Sequence, residues 1–298
     1  MKSKILLFTL LLHTWHTQAA EPVNKPPDDY EKALSAYQNN DFATALMLWF
    51  PLAEKGNADA QFMLGNMYIQ QGGDRYDPNK AIQYYERAAR QNHLAAQGAL
   101  GRLYLNGQQI PKDYKLANKW LTEAARQKEP DAQYKLGQLY QLGQGVTKNA
   151  GKAAYWYTQA AELGHNKAQT ALALMYLTGD GRKKDTALAT DLLNKAALQG
   201  NASAQFSLGC IYRDGTDNTP IDLARAFDLF QQAANLQSAD AANALANFYR
   251  TGTHVSQDHK LAFTWYEKAA KQNHMEALHN IGSMYVSGYG TKQNYKLG

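Results

Sequence analysis

Apolar positions along this chain recur with two periods, one short and one long. The short period is helical: Ala60, Leu64 and Tyr68 lie at offsets of 0, 4 and 8, which share one face of an α-helix. The long period is 36 residues, with one step of 37. The trio returns at Ala96, Leu100 and Tyr104, at Ala132, Leu136 and Tyr140, and at Ala168, Leu172 and Tyr176. It returns again at Ala204, Leu208 and Tyr212, at Ala241, Leu245 and Tyr249, and at Ala277, Ile281 and Tyr285. The residue after the Leu or Ile is always Gly or Ala, small enough for a neighbouring helix to come close. Each unit therefore opens with an amphipathic helix A.

Polar positions punctuate the same pattern. A Gly follows each Tyr (Gly72, Gly107, Gly143, Gly179, Gly215, Gly252, Gly288) and ends helix A. Then comes Asp77, Asp113, Asn149, Asp185, Asp222, Asp258 or Asn294, a short acceptor suited to capping the start of a second helix, B. Helix B carries a bulky pair, such as Tyr84-Tyr85, Trp156-Tyr157 or Leu229-Phe230, followed by Ala-Ala. The extra residue of the longer step falls between Gly215 and Asp222, in a loop.

No single unit can bury its own apolar face, so the units must stack. The fold expected is all-α: a right-handed α-solenoid of antiparallel helix pairs. Its parts are a starter pair at 28–56, six full repeats at 57–275 and a partial repeat at 276–298. In the partial repeat, helix A lacks a following helix B. The expectation is an apolar terminal edge at Ile281 and Tyr285, a surface for weak self-association or partner docking.

The first residues follow a different logic. Lys2 and Lys4, the apolar run Ile5 to Leu12 and the small residues Ala19-Ala20 read as a signal peptide over 1–19, with a proline-bearing extended leader at 20–27. The apolar run is too short to span a bilayer. The expected location is the periplasm or the exterior, with no transmembrane segment. Removing Lys2 and Lys4 from 31 basic residues leaves 29 against 26 acidic ones, a net +3 too mild to indicate a nucleic-acid partner. Cys210 is the single cysteine, so no intramolecular disulfide can form and packing must supply the stability.

The order Ala-x-x-x-Leu-Gly-x-x-Tyr, Gly, polar cap, then Lys-Ala-x-x-Trp-Tyr-x-x-Ala-Ala-x-x-Gly resembles the SEL-one-like repeat, a branch of the tetratricopeptide superfamily. The clearest copy runs from Ala132-Gln133-Tyr134-Lys135-Leu136-Gly137 through Trp156-Tyr157 and Ala160-Ala161 to Gly164. The resemblance implies an interaction scaffold that binds a protein or peptide partner and uses no cofactor. One cysteine-rich branch of that family is linked to β-lactam binding or hydrolysis. This makes a cell-wall or β-lactam hydrolase the alternative function, weakened here by the lack of paired cysteines.

Candidate chemistry changes the picture little. His93, His165 and His274 occupy one repeated position, a polar loop residue near the next helix start. Two units of separation, roughly 40 Å of packed helices, keep His93 and His165 from sharing a metal. Asp59, Asp131 and Asp240 read as first-turn acids favoured by the helix dipole. Gly143-Gln144-Gly145 and its relatives end helices and precede no phosphate-binding turn.

A partner is instead expected on a second stripe of helix A, at offsets 2, 6 and 9, because tetratricopeptide-type solenoids line their concave side with helix A. The stripe contains Phe62, Arg102, Leu105, Tyr134, Gln138, Gln141, Leu174, Phe206, Arg213 and Arg250. Aromatic residues and Arg are the usual anchors of interfaces. The same apolar side chains could equally pack between neighbouring units. Arg213 and Arg250 would give the later part a preference for acidic segments.

Overall fold

The computed structural model describes residues 28–70 and 75–297. The predicted leader at 1–27 and Gly72 lie outside them. The described residues form fifteen helices in seven antiparallel pairs and one further helix. The A helices are α1 (Asp29–Gln38), α3 (Ala58–Ile69), α5 (Leu94–Asn106), α7 (Pro130–Leu142), α9 (Asn166–Thr178), α11 (Ala202–Asp214), α13 (Ala239–Thr251) and α15 (Met275–Ser287). Between them come the B helices α2 (Phe42–Glu54), α4 (Pro78–Ala89), α6 (Tyr114–Arg126), α8 (Ala150–Glu162), α10 (Thr186–Leu198), α12 (Leu223–Asn235) and α14 (His259–Ala270). Each helix packs mainly on its chain neighbours, as in a solenoid.

Every B helix from α4 onward starts where the short acceptor predicts. The side chains of Asp77, Asp113, Asn149, Asp185, Asp222 and Asp258 each accept a backbone N–H from the first turn. Their own backbone N–H groups donate to the carbonyl of the recurring Tyr of helix A, for example Asp77 to Tyr68 at 2.8 Å and Asp222 to Tyr212 at 2.7 Å. This bond closes the A–B loop at a fixed span. The inserted residue in the Gly215–Asp222 loop is absorbed by a tight turn, in which Thr216 and Thr219 exchange backbone hydrogen bonds at 2.7 and 3.1 Å.

The small residue of helix A has a direct packing cause. A methyl group on Gly137 would lie 2.4 Å from the Tyr157 ring, and one on Gly209 would lie 2.6 Å from Phe230. The bulky second residue of helix B thus occupies the space a side chain would need. Gly145 answers to a different contact. Its φ is +69°, and a Cβ would meet the Tyr114 carbonyl of the preceding repeat at 2.5 Å. The Gly-x-Gly strings are therefore inter-repeat contacts.

The core follows the predicted face with one shift. Ala60, Leu64, Ala96, Leu100, Ala132 and Leu136 are fully buried. The Tyr at offset 8 is less consistently so: Tyr68, Tyr140, Tyr176 and Tyr249 are half-buried. Offset 7 goes deeper, at Met67, Leu139, Met175, Ile211, Phe248 and Met284. The Tyr backbone closes the loop, which holds its ring at the edge of the core rather than within it.

Beside the core runs a row of buried amides. Gln61, Gln97, Gln133, Gln169 and Gln205 are at most 5% exposed. Each donates its Nε2 hydrogen to the end of the preceding B helix, at the carbonyls of Ala53, Ala89, Ala125, Ala161 and Ala197. Three also accept from a second Gln thirty residues on: Gln91, Gln127 and Gln199, at 2.8, 2.8 and 3.0 Å. A buried amide with every group paired adds stability, and one left unpaired costs about 1–3 kcal/mol. Gln133 and Gln205 face Leu163 and Leu236 at the corresponding positions, and their Oε1 atoms are buried without a partner.

Candidate functional site

The A helices present one continuous face, and the stripe residues lie on it in three different states. The first group is held by internal packing. Phe62 lies against Tyr85 and His93, with ring centroids 5.7 and 4.9 Å apart, and Phe206 packs on Phe230 at 5.7 Å. Leu105 is half-buried between two core clusters.

The second group is tied by hydrogen bonds to tyrosines: Tyr157 and Tyr266 reach through to this face from helix B, and Tyr134 lies on helix A itself. Tyr157 donates to Gln141 Oε1 at 2.7 Å, and Gln138 donates to the Tyr134 hydroxyl at 3.0 Å. Tyr266 donates to Asn247 Oδ1 at 2.6 Å and accepts from Arg250 Nε at 3.1 Å. Burial pushes the Tyr157 and Tyr266 hydroxyls up, so both stay protonated donors. Arg213 is occupied differently: its guanidinium forks onto neighbouring Asp214 at 2.7 and 2.8 Å. The Asp214 hydrogen bond raises the Arg213 pKa and lowers that of Asp214. The expected acid-binding pair is thus internally satisfied, Arg213 by Asp214 and Arg250 by Tyr266.

The third group makes no side-chain hydrogen bond among the described residues. Where helix B carries Leu121, Leu193 or Phe230 instead of Tyr, offset 6 of helix A carries Arg102, Leu174 or Cys210 instead of an amide. Arg102 is exposed and makes no hydrogen bond or ion pair among the described residues. Leu174 is 44% exposed. Cys210 is half-buried, and burial pushes its thiol pKa up, the opposite of an activated nucleophile.

Tyr134, Thr170 and Leu174 come together in one cavity of about 620 Å³ between α7, α9 and α11, with Lys167 and Ser203 at its edge. Its walls are an aromatic ring, an aliphatic side chain and the polar first turns of two helices. Tyr134 is fixed there by stacking on His165, with centroids 4.8 Å apart. Such a surface can hold an extended or helical segment through one apolar anchor and several hydrogen bonds. No group of three or more metal-ligating side chains occurs among the described residues.

The terminal edge is placed differently from expectation. Ile281 packs into the cluster of Ala262, Tyr266 and Ala277, and Tyr285 meets Phe263 edge-on at 5.4 Å. Both are half-buried because offsets 4 and 8 of α15 turn back toward α14. Leu278 and Val286, 43% and 44% exposed, line a cavity of about 540 Å³ on the other side, with Gly282 between them. Gly282 corresponds to Gly65 and Gly137, which receive a helix B ring.

The structure adds a role for three of the histidines. His93, His165 and His274 are the N-caps of α5, α9 and α15, accepting through Nδ1 from Ala96, Ala168 and Ala277. Asn57, Asn201 and Ser238 do the same at α3, α11 and α13. The signal was available, since these residues occupy one register position across the repeats.

The family model of the Sel1 repeat matches residues 58–93, 94–129, 130–165, 166–201, 202–238, 239–274 and 276–298. A solved chain with an SLR fold, a protective antigen present in uropathogenic Escherichia coli strains, superposes with a TM-score of 0.77 at 27% identity. The match covers 90% of this chain and 66% of that one, just under two thirds of its length. A Sel1 repeat protein from Oxalobacter formigenes gives a TM-score of 0.73 at 32% identity, over 86% of this chain and 75% of that one. No curated protein matches the sequence.

Proposed function

The chain belongs to the Sel1 repeat family, and on that basis we propose that it is a non-enzymatic scaffold that holds a protein or peptide segment on its helix A face. The observation that carries this reading is the cavity between α7, α9 and α11, where Tyr134 and Leu174 stand at the surface without an internal use for Leu174. Offset 6 supports it. Where a tyrosine reaches through from helix B, the position is an amide, and elsewhere it is released to Arg102, Leu174 or Cys210. The hydrolase alternative is not favoured, because burial raises the one thiol and His93, His165 and His274 cap helices.

The proposed site of action is the periplasm or the cell exterior. Support comes from the basic start, short apolar run and small residues at Ala19-Ala20. No described helix is long and apolar enough to cross a membrane. The related Escherichia coli chain is described as a protective antigen, which fits a place outside the cytoplasm.

The test is a peptide-display selection on the purified protein, followed by affinities for Leu174→Asp and for Tyr155→Asp on helix B. Selected peptides should weaken about tenfold or more on Leu174→Asp, as for an interface anchor, and hold on Tyr155→Asp. Equal affinities for both variants, or no enriched peptide, would overturn the reading.

A further inference from the structure

On the helix B face, one unit departs from its neighbour at two positions that act on the same space. In the α10 unit, Lys195 Nζ lies 2.7 Å from Asp191, and Gln199 donates to the buried Oε1 of Gln169 at 3.0 Å. Allowing for the inserted residue, the α12 unit has Asp228 for Asp191, Gln232 for Lys195 and Leu236 for Gln199. The carboxylate and the buried amide remain, and both of their N–H donors have been replaced.

The consequences are visible in the packing. Gln205 is 5% exposed, and its Oε1 is buried with no hydrogen-bond partner. Gln232 only accepts from Gln205, at 3.4 Å. Asp228 is exposed and makes no ion pair among the described residues. Gln205, Asp228 and Gln232 line one cavity of about 470 Å³, floored by Leu208 and Leu229. The corresponding cavity of the α10 unit, at Gln169 and Lys195, is about 300 Å³. Arg225 is the one cation lining the larger cavity, and it sits over the Tyr212 ring at 4.4 Å.

We propose that this cavity binds an arginine side chain of a partner protein, whose guanidinium replaces the two donors that α10 supplies from its own chain. Two acceptors, one buried and one at the rim, call for a group with several N–H donors and no acceptor. A guanidinium carries five N–H donors in a planar fork and pairs with carboxylates. The aliphatic stem fits the apolar floor. This site is separate from the helix A cavity and does not depend on it.

The test uses the purified protein and N-acetyl-arginine N-methylamide as probe, with the matching citrulline and leucine compounds as controls, followed by ligand-observed NMR titration. The refilled variant Gln232→Lys/Leu236→Gln copies the residues of α10, so it should fold. Its melting temperature, measured alongside, should hold or rise. The arginine probe should bind the wild type more tightly than either control, and the refilled variant about tenfold more weakly, the scale of one buried hydrogen bond. Asp228→Asn should remove the advantage of arginine over citrulline. Arginine binding no tighter than leucine, or unchanged in the refilled variant, would show that the cavity is not an arginine site.

Discussion

His93 connects two repeats with the two nitrogens of one ring: Nδ1 accepts from Ala96 N–H at 3.1 Å, and Nε2 lies 3.1 Å from Asp59 of the preceding A helix. His274 and Asp240 repeat the arrangement at 3.2 Å, and His165 lies 3.9 Å from Asp131. The cap requires a neutral ring with its hydrogen on Nε2, because a protonated Nδ1 can no longer accept.

That requirement sets a pH dependence. Burial holds the His165 pKa below the ordinary histidine value, against the pull of Asp131 and Glu129. Lys167, Lys135 and the stacked Tyr134 are its other neighbours. The unfolded chain therefore takes up a proton before the folded one. The contribution is complete above about pH 6.5 and is lost as the medium acidifies through and below that value. The melting temperature should fall between pH 7.5 and 5, and fall less in His165→Asn, since Asn201 makes the same cap unaided by titration. The difference should be about 2–4 °C, the scale of one N-cap. Parallel slopes in differential scanning calorimetry would show that His165 is not the sensor.

Stability should separate the stripe residues that pack from those that are free. Phe206→Ala removes a ring from contact with Phe230 and should cost about 2–4 kcal/mol in urea unfolding. Leu174→Ala should stay within about 0.5 kcal/mol of wild type, as exposed substitutions do.

Leu163→Gln should stabilise the protein. Leu163 is 47% exposed, so little burial is lost, and the new amide stands where Gln127 and Gln199 reach their partners. Pairing the buried Oε1 of Gln133 should add about 1 kcal/mol. An unchanged urea midpoint would mean that the orphaned carbonyl costs nothing.

Cys210 should react slowly. With its thiol raised by burial, alkylation by iodoacetamide at pH 8 should run at least about tenfold slower in the folded protein than in guanidinium, since the thiolate is the nucleophile. Equal rates would point to an open, activated thiol.

If the leader is cleaved as the sequence suggests, N-terminal sequencing of protein from the periplasmic fraction should begin near Ala20 or Glu21. A chain beginning at Met1 in the cytoplasm would remove the export proposal.

The repeat was legible because the solenoid imposes one environment on each register position. Ala60, Leu64, the cap at Asp77 and the Gly at 65 are each fixed by a local rule, and seven copies average away the exceptions. The stripe was legible only as a location. Whether Phe206 faces a partner or Phe230, and whether Arg213 is free or forked onto Asp214, depends on contacts between side chains that no periodicity encodes. The buried glutamines escaped notice for the opposite reason. Gln61, Gln97 and Gln133 recur as regularly as the leucines, but a polar residue in register reads as surface until its partners at the preceding helix end are seen.

Those glutamines also grade the mechanical strength of the array. Each one ties its A helix to the end of the preceding B helix, so a repeat cannot peel away without breaking a buried bond. Two later seams lack the tie: at Leu278 of α15, which frees a single helix, and at Ala242 of α13, where none crosses from α12. An array of nearest-neighbour contacts separates at its weakest seam, so thermal opening should divide it there into two cooperative blocks. Amide exchange in α13–α15 would then run ahead of that in α3–α11, and pulling force would unzip the same end first.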